Sequence, residues 1–352
     1  MNEKTNEYRI SDKETSFSVI EKGRWFDHPQ MMNIELTTKC PLRCPQCYCD
    51  LENGKDINKD IAIKWLKDAA ANGIKIVCLS GGETMCYPYL TDLIKECKSL
   101  GLESDIALSG ALVTKEKLLE IIESGVTGIY VSLNGSTSEI NGKSRDGFEL
   151  AIKTLELLNE IDFENRGINW VMHSFNADDF ENIVKIAEEM KVKTIDVMVF
   201  KPDSHAALPS VPSGEQIRTV AKFIKNYEGP VEIVSESCFS QMRMLLKNSF
   251  IGNMNVGVEK GCGAGRDSIS INIDGKLTPC RHLNFAEDFE TIEEYWNKSA
   301  FLEKLRNVEE TITEPCESCR YSKNCLPCMD INYRMKGLIQ FSNDFCEIKR
   351  PK

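Results

Sequence analysis

The chain has 352 residues, 41% of them hydrophobic, and a formal net charge of −11. That length and apolar content suit one or two packed domains. The acidic balance excludes nucleic acid and anionic membranes as partners and leaves room for a basic peptide or an electron carrier. No run approaches transmembrane length and residues 1–30 contain no apolar signal core, so a cytoplasmic chain is expected. In that setting fifteen cysteines read as metal-binding or redox-active rather than disulfide-paired.

In chain order, strand-like runs fall at Ile34–Thr37, Lys75–Leu79, Glu103–Ala107, Gly128–Leu133, Ile168–His173 and Ile195–Phe200. Helical periodicity fills the gaps over Asn58–Ala71, Tyr89–Leu100, Lys115–Ser124, Phe148–Glu160, Asp178–Met190 and Gly214–Tyr227. Asn58 is placed to cap the first helix, and Gly73, Gly101 and Gly125 stand just past three of them. Six β-α units with right-handed crossovers predict an α/β fold, a parallel sheet curved into a full or partial barrel. In such folds the chemistry sits at the carboxyl ends of the strands.

The first strand runs directly into Cys40-x3-Cys44-x2-Cys47. Three thiolates in so short a loop can converge on one inorganic centre, and on a 4Fe–4S cluster they leave one iron open. The second strand ends in Gly81-Gly82-Glu83, where glycines let the backbone approach a ligand and the carboxylate stands beside it. Ser109 and Gly110 end the third strand, Ser132 and Asn134 end the fourth, and Arg145 precedes the next helix. Any one of these groups reads as a turn residue; four in register form a ligand-binding rim. Seven more cysteines follow: Cys262, Cys280, then Cys316-x2-Cys319-x5-Cys325-x2-Cys328, and Cys346. Paired Cys-x2-Cys units are also the pattern of zinc ribbons, so zinc and iron–sulfur both fit at this point.

Over residues 32–230 the order of motifs resembles the radical S-adenosylmethionine (SAM) superfamily, and the C-terminal cysteines resemble its SPASM extension. The resemblance implies a partial (β/α)6 barrel at 32–230 after an N-terminal extension at 1–31. A linker or bridging region at 231–260 and a small Cys-rich SPASM domain at 261–352 would follow. It implies three 4Fe–4S clusters. The first, on Cys40, Cys44 and Cys47, binds SAM, with Gly81, Gly82 and Glu83 toward the amino group, Ser132 at the ribose, Arg145 at the carboxylate and Ser109 as a looser match. The family usually has an aromatic residue before the third cysteine; here it is Gln46, with Tyr48 one place later, so adenine would be held by backbone and an amide. Cys316, Cys319, Cys325 and Cys346 would hold one auxiliary cluster, and Cys262, Cys280 and Cys328 the other. That last set is one ligand short of four: either Cys238 joins it or one iron stays open to a substrate thiolate.

An electron on the first cluster would split SAM into methionine and a 5′-deoxyadenosyl radical, which abstracts hydrogen from an unactivated C–H bond. The expected activity is maturation of a ribosomally made precursor peptide by thioether or carbon–carbon crosslinking, with a flavodoxin or ferredoxin-type reductant. Only about 30 residues precede the first strand, so leader recognition is expected from a separate protein or the barrel rim. Oxidation of a sulfatase Ser or Cys to formylglycine, or of a small alcohol, is the alternative in the same chemistry; a non-catalytic iron–sulfur carrier is the alternative class. Candidate catalytic groups are Cys49 and Cys86 as hydrogen donors and Asp203 and His205 as bases. Cys78 and Cys97 read as core thiols, and His282 as a neighbour of the cluster on Cys280.

Overall fold

The structure, a computed structural model, describes residues 25–246, 261–322 and 325–348. Residues 1–24 of the N-terminal extension and 247–260 of the bridging region lie outside the described residues. The first half alternates β1 (Met31–Thr37), α1 (Lys59–Ala71), β2 (Ile76–Gly81), α2 (Leu90–Ser99), β3 (Glu103–Leu108), α3 (Lys115–Ser124) and β4 (Gly128–Ser132). It continues with α4 (Ser138–Gly142), α5 (Phe148–Glu160), β5 (Arg166–Met172), α6 (Phe180–Glu189), β6 (Thr194–Val199), α7 (Gly214–Asn226), β7 (Glu232–Ser235) and α8 (Ser240–Leu246). The C-terminal region adds β8 (Ser268–Ile271), β9 (Leu277–Thr278), α9 (Ile292–Lys298), α10 (Ala300–Arg306), α11 (Val308–Thr311) and α12 (Met329–Lys336).

All six expected strands form, and each expected helix lies within a residue or two of its reading. The local reasons are visible. Asn58 accepts hydrogen bonds from the Asp60 and Ile61 amides at the start of α1. Thr114 caps α3, which ends on Gly125 at φ +103°. Ser213 and Gln216 form a reciprocal capping box on α7.

The sheet has nine strands in the order β7-β6-β5-β4-β3-β2-β1-β8-β9, parallel except for the β8–β9 pair. Along β1, Met32, Ile34 and Leu36 are fully buried in the core beneath the helices, and the alternate residues Asn33 and Glu35 face the concave side. Cys78 on β2 feels the charge of Asp196 on β6, four strands away, so the sheet is curled into a partial barrel. The concave side is polar, with Cys78, Asp105, Tyr130, Asn169 and Asp196 in alternation with core residues. Three strands beyond the expected six, β7, β8 and β9, extend the sheet. β7 comes from the segment read as a bridging region, and β8 from the Cys-rich region pairs directly with β1, Met31 opposite Ser268 and Ile34 opposite Ile271. No helix among the described residues is long and apolar enough to cross a membrane.

Candidate metal centre

At the carboxyl end of the sheet a cavity of about 230 Å³ is lined by the Cys40–Cys49 loop, the ends of β2 to β6, and Arg281, His282 and Arg334 from the C-terminal region. Cys40, Cys44 and Cys47 all face it. Their loop is pinned from both sides. The Arg43 amide donates to Asp146 at 2.9 Å and the Gln46 amide to the Ser144 carbonyl at 3.2 Å. Lys39 meets Asp56 at 2.7 Å. Burial pushes the Cys40 thiol up to about 11 and raises Cys44, against which Arg145 works. A hydrogen bond from Cys49 draws Cys47 below the usual thiol range.

Gly81 and Gly82 line the cavity, but their packing explains them differently from the sequence reading. A Cβ on Gly81 would stand 2.3 Å from the Thr37 carbonyl oxygen, and one on Gly82 2.5 Å from that of Lys39. The Gly82 and Glu83 amides donate to those same two carbonyls at 2.6 and 2.8 Å. The glycines therefore let the end of β2 lie flat against the cysteine loop.

Glu83, read as a partner of the SAM amino group, is 1% exposed, stands near enough for its charge to raise the Cys40 thiol, and does not itself line the cavity. Its carboxylate accepts from the Met85 amide at 3.1 Å, from the Ser109 amide at 2.9 Å and from the Ser109 hydroxyl. Ser109 presents to the cavity in its place. Ser132 lines the wall. Arg145 lines it too, and its buried Nε has no hydrogen-bond partner. Gln46 lies in the wall with its side-chain oxygen accepting from Asn134 at 3.0 Å. Tyr48 faces the cavity with its ring 4.5 Å from that of His282.

Cys49 and Asp203 line the cavity, whereas Cys86 and His205 do not. Cys86 closes the 3-10 turn Thr84–Cys86 behind Glu83, and His205 opens an exposed turn, His205–Ser210. Asn134 is the functional residue the sequence reading undervalued. Fully buried, it donates to Gln46 and to Ser144 and accepts from the Val171 amide, tying the cysteine loop to β4 and β5.

The later cysteines gather into two quartets. Cys316, Cys319, Cys325 and Cys346 each sit close enough to raise a neighbour's pKa. Cys238 makes a side-chain hydrogen bond to Cys328 and lies near Cys262 and Cys280. Among the described residues no three His, Cys, Asp or Glu side chains are grouped to hold a single metal ion. Cysteine thiolates are the ligands of four-iron clusters, and all-cysteine donor sets of this kind fit them. At the first site the fit rests on three thiols from one loop and, beside them, the unpartnered Nε of Arg145, a cation suited to a carboxylate.

The family model for the radical SAM superfamily matches residues 34–187, and that for the SPASM iron–sulfur cluster-binding domain matches residues 262–320. The PqqA peptide cyclase of Ruegeria pomeroyi is 28% identical over 316 residues, 83% of this chain and 79% of its own length. The AdoMet-dependent heme synthase of Methanosarcina barkeri is 24% identical over 92% of this chain and 97% of its own. Among solved structures, Streptococcus suis SuiB bound to precursor peptide SuiA has the same fold, with a TM-score of 0.73 at 21% identity over 93% of this chain and 78% of that one.

Proposed function

The chain belongs to the radical SAM superfamily and carries a SPASM domain, and on that premise we propose that it matures a ribosomally made peptide by forming a thioether or carbon–carbon crosslink. The carrying observation is the single chamber that runs from the three-cysteine loop to Arg281 and His282 of the C-terminal region. Kinship with the peptide cyclase over four fifths of the chain selects a peptide as the substrate class.

The SAM-bound cluster supplies a carbon radical able to take hydrogen from an unactivated C–H bond. This chain's residues do the rest. Cys40, Cys44 and Cys47 hold the cluster, and Arg145 receives the SAM carboxylate. Gly81, Gly82 and Ser109 frame the amino group, and Ser132 the ribose. Leu42, Leu51, Leu108, Val171, Met198 and Phe200 line the chamber and keep water from it. Cys316, Cys319, Cys325 and Cys346 would hold one auxiliary cluster and Cys262, Cys280 and Cys328, with Cys238 as the fourth ligand, the other; such clusters would supply electron acceptors. Asp203, the base candidate on the chamber wall, takes the proton. A flavodoxin or ferredoxin-type protein supplies electrons, and a separate protein presents the leader.

The test uses the anaerobically reconstituted protein with SAM, dithionite and a synthetic peptide matching a short open reading frame beside its gene. The expected product is lighter by two hydrogens, with 5′-deoxyadenosine formed alongside. No 5′-deoxyadenosine at full iron content would overturn the enzyme reading. Turnover of a porphyrin but of no peptide would overturn the peptide reading, a control prompted by the Methanosarcina relative.

A further inference from the structure

Part of the chamber wall is cationic although the chain as a whole is acidic. Lys201, Arg281 and Arg334 all line it. Two of the three are neutralised within the protein: Lys201 meets Glu236 at 3.0 Å and Arg334 meets Asp330 at 2.6 Å. Arg281 has no such partner. Among the described residues its guanidinium makes no hydrogen bond and no ion pair.

Several groups lie near the Arg281 charge without a hydrogen bond or ion pair to it. Tyr48, Glu236, Cys78 and Cys238 favour its charged form, in that order. Glu236 is already taken by Lys201. Asp196, across the concave side, is itself pushed up to about 7 by burial. Arg281 itself lines the chamber. Its chain neighbour Cys280 does not line the chamber; the Cys280 sulfur accepts from the Leu283 amide at 3.3 Å. A guanidinium removed from bulk water is stable only when an anion or acceptor meets its fork of donors.

We infer that Arg281 docks a carboxylate of the substrate, either an Asp or Glu side chain or the C-terminal carboxylate of a peptide; the inference rests on the peptide reading above. The planar fork of an arginine matches a carboxylate in two parallel hydrogen bonds. The carboxylate of SAM is not the occupant. Arg145 is the arginine whose charge reaches Cys44 and Cys47, whereas Arg281 enters the chamber wall from the C-terminal region, next to Cys280 in the chain. A substrate anchored there places its neighbouring carbons between the initiating loop and the auxiliary cysteines, where abstraction and electron removal both occur.

Calorimetry on the reconstituted, SAM-loaded holoenzyme tests this with three probes. N-acetylglutamate N-methylamide carries only a side-chain carboxylate, N-acetylglutamine only a terminal one, and N-acetylglutamine N-methylamide neither. One of the acids is expected to bind about tenfold or more tighter than the neutral probe, and which acid it is identifies the source. Arg281→Gln is expected to abolish that preference, with iron content and SAM affinity unchanged; Arg281→Lys retains part of it and carries the test where the Gln variant loses iron. Equal binding of all three probes, a preference that survives in Arg281→Gln, or a fall in SAM affinity would each overturn the assignment. An acid preference without modification of any peptide would sink the peptide reading alone and leave Arg281 as a carboxylate site.

Discussion

Gly82→Ala isolates the contact between the end of β2 and the cysteine loop. The added methyl would lie 2.5 Å from the Lys39 carbonyl oxygen and 2.9 Å from its carbon, both backbone atoms, so no rotamer relieves it. Reaching ordinary contact at 3.4 Å requires a displacement of about 0.9 Å, which also stretches the 2.6 and 2.8 Å hydrogen bonds to Thr37 and Lys39. Overpacking of this kind costs about 1–3 kcal/mol. Lys39 adjoins Cys40, so the shift carries the first thiol with it, and a misplacement near 1 Å lowers rates by about 10²-fold. Gly101→Ala is the matched control: it forces an alanine to φ +71° with nothing within 4 Å of the new methyl, at a cost of about 1–2 kcal/mol. Thermal melts, iron content and 5′-deoxyadenosine formation are measured on both after anaerobic reconstitution. Both variants are expected to melt earlier, and only Gly82→Ala to lose SAM cleavage, by about 100-fold. Wild-type cleavage in Gly82→Ala would refute the argument that this contact sets the loop's position. An equal loss in Gly101→Ala would refute it too, because stability rather than geometry would then be the cause.

Cys44→Ala is expected to abolish SAM cleavage, whereas Cys319→Ala leaves cleavage measurable but gives no finished product; equal loss of cleavage in both would contradict the division of labour between the two cysteine regions. Cys238→Ala is expected to open one iron of its auxiliary cluster, seen as a distinct site in Mössbauer spectra, and an unchanged spectrum would remove Cys238 as a ligand. His173 is 1% exposed and packed between Phe175 and Phe200, with its pKa lowered by burial to about 4. Its folded pKa lies below the unfolded value near 6.5, so the stability it contributes is complete above pH 6.5 and is lost as pH falls toward 4. The loss amounts to about 3 kcal/mol. Denaturant titrations of His173→Gln should be correspondingly flatter across that window, and parallel curves for the two proteins would contradict the assignment.

The barrel was legible because its signals are local. Thr114 and Gly125 bound α3 to the residue, and the Val77 and Leu79 alternation of β2 continues to the glycines that end it. α4 was missed because its five residues, Ser138 to Gly142, carry a single apolar side chain and show no helical period. β8 was missed because four residues of alternation need a partner, and that partner, β1, lies more than 200 residues earlier in the chain. The cysteine loop could be read from spacing alone, but the part played by Gly81 and Gly82 could not, since it depends on how closely β2 approaches Thr37 and Lys39. Asn134 looked like a turn residue because the partners that tie it to the cysteine loop and to β5, Gln46 and Val171, lie 88 and 37 residues away in the chain. Arg281 drew no notice beside Cys280 and His282, because whether a charge is paired is decided by tertiary packing.

The same pairing of β1 with β8 determines how the two cysteine regions are related. β1 delivers Cys40, and on its other edge it carries the first strand of the C-terminal region, so the initiating loop and the auxiliary cysteines are built onto one strand. The join is reinforced where α1 and the loop meet the β8–β9 turn. Trp65 donates to the Gly275 carbonyl at 2.8 Å, Lys55 meets Asp274 at 2.6 Å, and the Ile273 amide donates to Glu35 at 3.2 Å. Tyr48 and His282 then close the chamber wall across the same seam. An exposed pair such as Lys55 with Asp274 contributes little on its own, about 0–1 kcal/mol. The β ladder and the buried Trp65 bond therefore hold the seam. Weakening that bond, as in Trp65→Phe, is expected to leave SAM cleavage intact while lowering the fraction of cleavage events that yield modified substrate, because the distance between the radical and the electron acceptor is what the seam controls. Cleavage and coupling measured on the same reaction decide the point: a parallel fall in both would mean that the two regions fold as one unit and the seam has no separate role in alignment.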